Sequence, residues 1–291
     1  MFENLSLLHS AHPLVGLGLA FIFGALIGSF LNVVIYRLPV MMQRDWKTQA
    51  KQILEVEEQV AENEPAFNLV VPNSRCPSCE RAIKPWENIP ILSFLLLKGK
   101  CAGCDQSISA RYPLIEFATA LLSALVVYQF GLNQTAILIC LFTYALIALS
   151  MIDYDTQLLP DDITLPLLWA GLIVNYFGFI TTLENALWGA ILGYLSLWSV
   201  YQGFKLVTGK EGMGFGDFKL LAALGAWLGW QILPLVIILS SLAGAIIGGS
   251  LILFGRDKSQ PIPFGPYLAI AGWIAMLWGE QITFAYLRFV A

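Results

Sequence analysis

The sequence predicts an all-α polytopic membrane protein, with about eight transmembrane helices and a zinc-binding cytoplasmic insertion after the first helix. Three observations carry this expectation. Of 291 residues, 57% are hydrophobic and 12% charged, against about a quarter charged in ordinary soluble domains. Apolar stretches of the roughly 20 residues needed to cross a bilayer recur along most of the chain. Two C-x-x-C pairs fall together between the first and second of these stretches.

The first stretch, approximately 14–36, reads "LVGLGLAFIFGALIGSFLNVVIYRL" from Leu14. It is too long for a secretory signal and no basic residue precedes it, so it is expected to be a retained helix. Residues 1–36 then form an outside tail and the first span. Residues 37–112 form the insertion. Its first half, "MMQRDWKTQAKQILEVEEQVAENEP", mixes helix formers with both charges and reads as a solvated or surface-lying helix. Further spans are expected at about 113–130, 134–152, 163–180, 184–207, 218–231, 232–254 and 265–287, which makes 113–291 a body of about seven helices. The sixth span overall, 218–231, is the shortest. Small residues in "GALIG" (24–28) and "AGAIIGG" (243–249) read as helix-packing faces.

Eight crossings put both termini on one side of the membrane. The gaps facing the other side then hold Arg37, Arg44, Lys47, Lys51, Arg75, Arg81, Lys84, Lys98, Lys100, Arg111, Lys205, Lys210, Lys219, Arg256 and Lys258, leaving only Arg288 of the 16 basic residues opposite them. The positive-inside rule makes that richer side cytoplasmic and both termini external.

The cysteine pairs are "CPSC" (Cys76, Cys79) and "CAGC" (Cys101, Cys104). Two such knuckles complete a tetrahedral four-thiolate site of the kind zinc prefers, and a closed site of that type is structural. Two disulfides are the competing arrangement, but cytoplasmic thiols are kept reduced. A redox centre would use one C-x-x-C on a thioredoxin-like fold. Cys140, inside the third span, reads as a packing residue.

The chain has only two histidines, His9 and His12, both in the N-terminal tail. That weighs against Ser-His or Cys-His nucleophiles and against histidine-ligated catalytic metal or haem. Acid and base chemistry must then come from carboxylates. Those within or at the ends of spans are Glu116, Asp153, Asp217 and Glu280, and an ionisable group there is a functional hypothesis by default.

Asp153 closes the third span and Asp217 opens the sixth, an even number of crossings apart, so both return to the same membrane boundary and can meet. Asp217 precedes "FKLLAALGAW" and could serve only as a helix N-cap. Asp153 has no comparable explanation, because an acid near a helix C-terminus faces the negative end of the macrodipole. The glycines of "GMGFG" (212–216) lack the strand and helix that give a nucleotide-binding loop its meaning. Gly214 and Gly216 instead leave bare backbone beside the acid, where an extended peptide can approach. Two carboxyl groups within a few ångströms share a proton: one activates water against a carbonyl and the other supports the oxyanion and leaving amine. Asp155, Asp161 and Asp162 make the following loop acidic and suited to steering a basic substrate.

Taken together, "GSFLNVVIYRLP" (28–39), the two knuckles joined by "NIPILSFLLLKGKC", "ISARYPLIE" (108–116), "MIDYDTQLLPD" (151–161), "GFGDFKL" (214–220) and "PFGPYLA" (263–269) resemble the bacterial type IV prepilin peptidases, within the GxGD intramembrane aspartyl peptidases. The resemblance implies that Asp153 and Asp217 are catalytic and that the four cysteines bind zinc. It also implies removal of a basic leader from prepilins and pseudopilins after a glycine at the cytoplasmic face of the inner membrane. N-methylation of the new terminus by S-adenosylmethionine is implied in turn. The resemblance places methyl transfer in the insertion, where Gly99, Lys100 and Glu116 are the candidates for the donor site. Glu116 also has a plain role, since an acid is favoured in a first helical turn. Membrane lipid is an expected partner and nucleic acid is not.

Two other classes compete. A proton- or cation-coupled transporter could use the two acids, but such sites lie near the bilayer midplane on broken helices. A binding protein built on the zinc module leaves the acids unexplained.

Overall fold

The computed structural model describes residues 9–54, 66–255 and 262–290. Among them the regular structure is helical, relieved by two isolated antiparallel bridges. The helices are α1 (Pro13–Ile53), α2 (Leu92–Leu96), α3 (Arg111–Phe130), α4 (Gln134–Thr156), α5 (Asp161–Tyr176), α6 (Leu183–Thr208), α7 (Phe215–Leu228), α8 (Leu233–Leu253) and α9 (Gly265–Val290). The chain divides into two compact units, Met1–Leu132 and Asn133–Ala291, so α3 falls with the first unit rather than with the helices that follow it.

In the first unit, α1 runs unbroken for 41 residues, through Pro39 and on to Ile53. The predicted boundary at Arg37 is therefore inside a helix, and the charged stretch from 41 continues α1 instead of starting a new element. The remainder of that stretch, 55–65, lies outside the described residues, as do Arg256 and Lys258 of the charge count. Antiparallel α3 packs on α1 through small residues. A Cβ on Gly24 would come within 2.5 Å of Ser123 Oγ, and one on Gly28 within 2.7 Å of the Glu116 backbone. The "GALIG" segment is thus a packing face, the usual device where helices approach in lipid. Of the second such segment, Gly244 faces Tyr267 and Gly248 faces Ile262, while Gly249 faces open space. The buried guanidinium of Arg37 donates to the carbonyls of Asn68 (2.8 Å) and Pro72 (2.6 Å), clamping the loop onto α1.

In the second unit the centre is α7, with ten of its 14 residues buried. Gly189 on α6 and Gly225 on α7 cross with backbones touching, so a side chain on either would strike the other. Asn175 on α5 donates to the carbonyls of Ala226 (2.8 Å) and Trp227 (3.0 Å), closing the otherwise orphaned end of α7. Trp227 in turn donates to Leu167 O at 2.8 Å and packs at a tilt against Phe142 with ring centroids 4.9 Å apart.

A helix occupies each of the eight predicted spans, but among the described residues five are long and apolar enough to cross: α1, α3, α4, α8 (with the turn before it) and α9. Eight crossings are not confirmed. At 16 and 14 residues, α5 and α7 fall short of the roughly 20 a bilayer requires. The predicted sixth span ends early because Gly229 turns the chain at φ +86°.

Candidate active site

Asp153 lies in the last turn of α4 and Asp217 in the first turn of α7, and both are buried. Both acids border one side chain, Leu159, which lies against Gly265 beside Asp153 and against Gly216 next to Asp217. The N-cap of α7 is Gly214, and its carbonyl accepts the Asp217 N–H at 3.2 Å. Asp217 is thus inside the helix and is not its cap. The unfavourable place of Asp153 at a helix C-terminus is resolved by another helix: Gly265, the first residue of α9, donates its N–H to Asp153 Oδ2 at 2.8 Å. A carboxylate at a helix N-terminus meets the positive end of the macrodipole, which offsets its own helix.

Gly265 lies in the "PFGPYLA" stretch, whose contact with Asp153 the sequence does not reveal. A Cβ there would sit 2.7 Å from Asp153 Oδ2 and 3.1 Å from Leu159. Leu159 also fills the space above Gly216, where a Cβ would lie 2.7 Å from its own Cβ. The bare face of Gly216 is therefore taken by Leu159 and is closed to a peptide. Gly214 remains exposed, and a Cβ there would meet nothing nearer than Asp217 Oδ2 at 3.6 Å. Tyr201, Phe215 and Phe218 form an aromatic cluster beside the acid, with centroids 5.4–5.6 Å apart. Lys219 pairs with Asp161 at 2.7 Å and ties the start of α7 to the start of α5. Asp161 is thus engaged within the fold, which reduces its share in any steering field.

The four predicted ligands Cys76, Cys79, Cys101 and Cys104 converge, with sulfurs all within 4.8 Å of one another. Cys76 and Cys104 Sγ are 3.8 Å apart, and a tetrahedron with Zn–S bonds near 2.3 Å has edges of about 3.8 Å. The set fits a tetrathiolate metal and could bind zinc. The two knuckles repeat one turn: Glu80 N–H donates to Cys76 O and Asp105 N–H to Cys101 O, with both acids at φ +56°. The N–H groups of Gly103 and Cys104 lower the Cys101 thiol to about 6, the thiolate form a metal needs. Arg81 lies over Gly103, where a Cβ would come within 2.9 Å of its buried, unpartnered Nε. Its other end is held by Glu87 at 2.9 Å.

The candidate methyl-donor residues are not drawn together by any described hydrogen bond. Gly99, at φ +69°, packs against the Phe94 ring, and Lys100 is exposed and bridged to Ser107. Glu116 is buried and its Oε2 accepts the Ile91 N–H at 2.7 Å.

The molecule is thus an all-helical membrane protein with a buried carboxylate pair at its helix ends and a four-cysteine cluster after its first helix. The model of the bacterial peptidase A24 N-terminal domain matches residues 22–130, and that of the type IV leader peptidase family matches residues 140–249. The chain is 59% identical over 281 residues to the prepilin leader peptidase/N-methyltransferase of Stutzerimonas stutzeri, covering 96% of each chain. It is 58% identical to that of Pseudomonas aeruginosa, again covering 96% of each, and 50% identical to that of Neisseria gonorrhoeae, covering 91% of each. The chain belongs to the type IV leader peptidase family. No solved structure matches it.

Proposed function

We propose that this chain is a membrane-embedded aspartic endopeptidase that cleaves the basic leader from type IV prepilins and pseudopilins and then N-methylates the new N-terminus. What supports the peptidase reading is that two aspartates, Asp153 and Asp217, are both buried at helix ends around Leu159, with the exposed backbone of Gly214 beside Asp217. In this reading the ionised member of the pair takes a proton from water as it attacks the scissile carbonyl. The protonated member supports the oxyanion and then protonates the leaving amine. The Gly265 N–H fixes Asp153 Oδ2, so one oxygen of the pair is oriented before substrate arrives. The scissile backbone lies along Gly214, whose missing side chain leaves room for it.

Cys76, Cys79, Cys101 and Cys104 would hold a structural Zn²⁺ that folds the insertion. S-adenosylmethionine, implied by the relatives' names, supplies the methyl group when bound. Glu116 and Gly99 already carry structural contacts, to the Ile91 N–H and the Phe94 ring. The charge bias supports an inner-membrane protein with its catalytic face in the cytoplasm and both termini outside. The transporter reading gains nothing from the fold, because both acids lie at helix termini.

The test is to incubate the purified chain in nanodiscs with a leader-bearing pilin peptide, with and without the methyl donor, and to weigh the products. Cleavage after the leader glycine without donor, and a 14-dalton gain on the new terminus with it (about one methylene), support the reading. An intact peptide with folded protein contradicts it.

A further inference from the structure

The short helix α2 is inside out. Its buried residue is polar: Ser93 donates to Trp86 O and accepts from Ile89 N–H, both at 2.9 Å. Of its four apolar residues only Phe94 turns inward, onto Gly99, while Leu92 at 57%, Leu95 at 64% and Leu96 at 80% exposure point outward, continued by exposed Trp86 and Ile89. In water such an arrangement forfeits the burial that normally stabilises a helix, at roughly 25 cal/mol for each Å² left wet. An exposed contiguous apolar patch marks a surface that something covers.

The depth of this patch is fixed by Glu116. Its Oε2 accepts the N–H of Ile91, immediately before α2. Ile91 is held at φ +62°, a conformation that a β-branched residue adopts only under constraint. Glu116 lies five residues inside α3, a 20-residue helix about as long as a bilayer core is thick, so Ile91 is anchored roughly 7 Å below the end of α3. Interfacial helices sit at this level, roughly 5–10 Å into the boundary between headgroups and acyl chains. Lys84, stacked over Trp86 at 5.3 Å, and exposed Lys98 flank the leucines. Tryptophan with flanking lysines is the composition of a membrane-interface anchor.

We infer that the segment Trp86–Leu96 is a membrane-docking surface, which seats the cysteine module on anionic lipid with Leu92, Leu95 and Leu96 among the acyl chains and Lys84 and Lys98 at the headgroups. This surface is independent of the two aspartates. A prepilin segment covering the same leucines is the rival occupant, but the depth of the patch and its flanking lysines match lipid.

The test uses the full chain in nanodiscs of phosphatidylglycerol and phosphatidylcholine with brominated acyl chains. The fluorescence of Trp86 is taken as the difference between the native chain and Trp86→Phe. That component should lose most of its intensity to brominated lipid and little to aqueous iodide. The triple variant Leu92→Ser, Leu95→Ser, Leu96→Ser should reverse the pattern while keeping the metal content of the native chain, which separates undocking from unfolding. Raising salt should weaken the quenching in proportion to phosphatidylglycerol content. Quenching by iodide in the native chain overturns the inference. So does protection from both quenchers, which would place the patch against protein, or protection that appears only when a prepilin peptide is added.

Discussion

The peptidase reading is most exposed at Gly265. Its N–H is the described hydrogen-bond donor to Asp153, and a methyl group there would come within 2.7 Å of the carboxylate oxygen. Gly265→Ala should lower kcat by about 10²-fold with little change in KM, the cost of displacing a catalytic group by about 1 Å. Unchanged kcat in the folded variant would remove Gly265 from the positioning of Asp153. The metal cluster makes a separate prediction at the same scale. Metal analysis should find about one zinc per chain, and replacing any of the four cysteines by serine should abolish it and open the insertion to proteolysis. Arg81→Gln and Gly103→Ala both disturb the guanidinium over the cluster, and both should release metal to a chelator faster than the native chain. Two disulfides and no metal would contradict the tetrathiolate site. The acids and cysteines were legible in the sequence because each is a chemically unusual residue at a marked place. Gly265 was not, because it acts through a backbone N–H and reaches its partner across 112 positions of sequence.

Among the elements, α7 decides the architecture, being short, almost wholly buried and crossed at contact distance by α6. Gly189→Leu forces the two backbones apart and should cost at least about 1–3 kcal/mol, the usual range for overpacking. It should lower the thermal unfolding midpoint and, by moving Asp217, the activity with it. A variant of native stability would mean that the crossing yields without cost. Helix positions were legible from uninterrupted apolar runs, but helix lengths were not. The run from Phe218 passes through Gly229 into α8 without losing hydrophobicity, so composition alone cannot show that one short helix ends there and another begins. The continuation of α1 past Arg37 was hidden for the opposite reason. A buried arginine looks like a boundary until its two carbonyl acceptors in the loop at 68–72 are known.

For the whole molecule, the division into Met1–Leu132 and Asn133–Ala291 puts the cysteine module in one unit and both aspartates in the other. If methyl transfer belongs to the first unit, Asp217→Ala should fail on full-length prepilin yet methylate a peptide supplied already cleaved. Cysteine variants should lose methylation more readily than cleavage. Loss of methylation of the pre-cleaved peptide in folded Asp217→Ala would show a shared or tightly coupled site. The central claim is that two aspartates act as one catalytic unit, and one measurement bears on it most directly. Asp153→Asn and Asp217→Asn, each nearly isosteric and each checked for folding, are reconstituted in nanodiscs and given a leader-bearing prepilin, with cleavage read by mass spectrometry. The expected result is that neither variant releases the leader, because either change ends the sharing of a proton between the acids. Measurable cleavage by either well-folded variant would contradict the assignment of that aspartate and, with it, the paired mechanism.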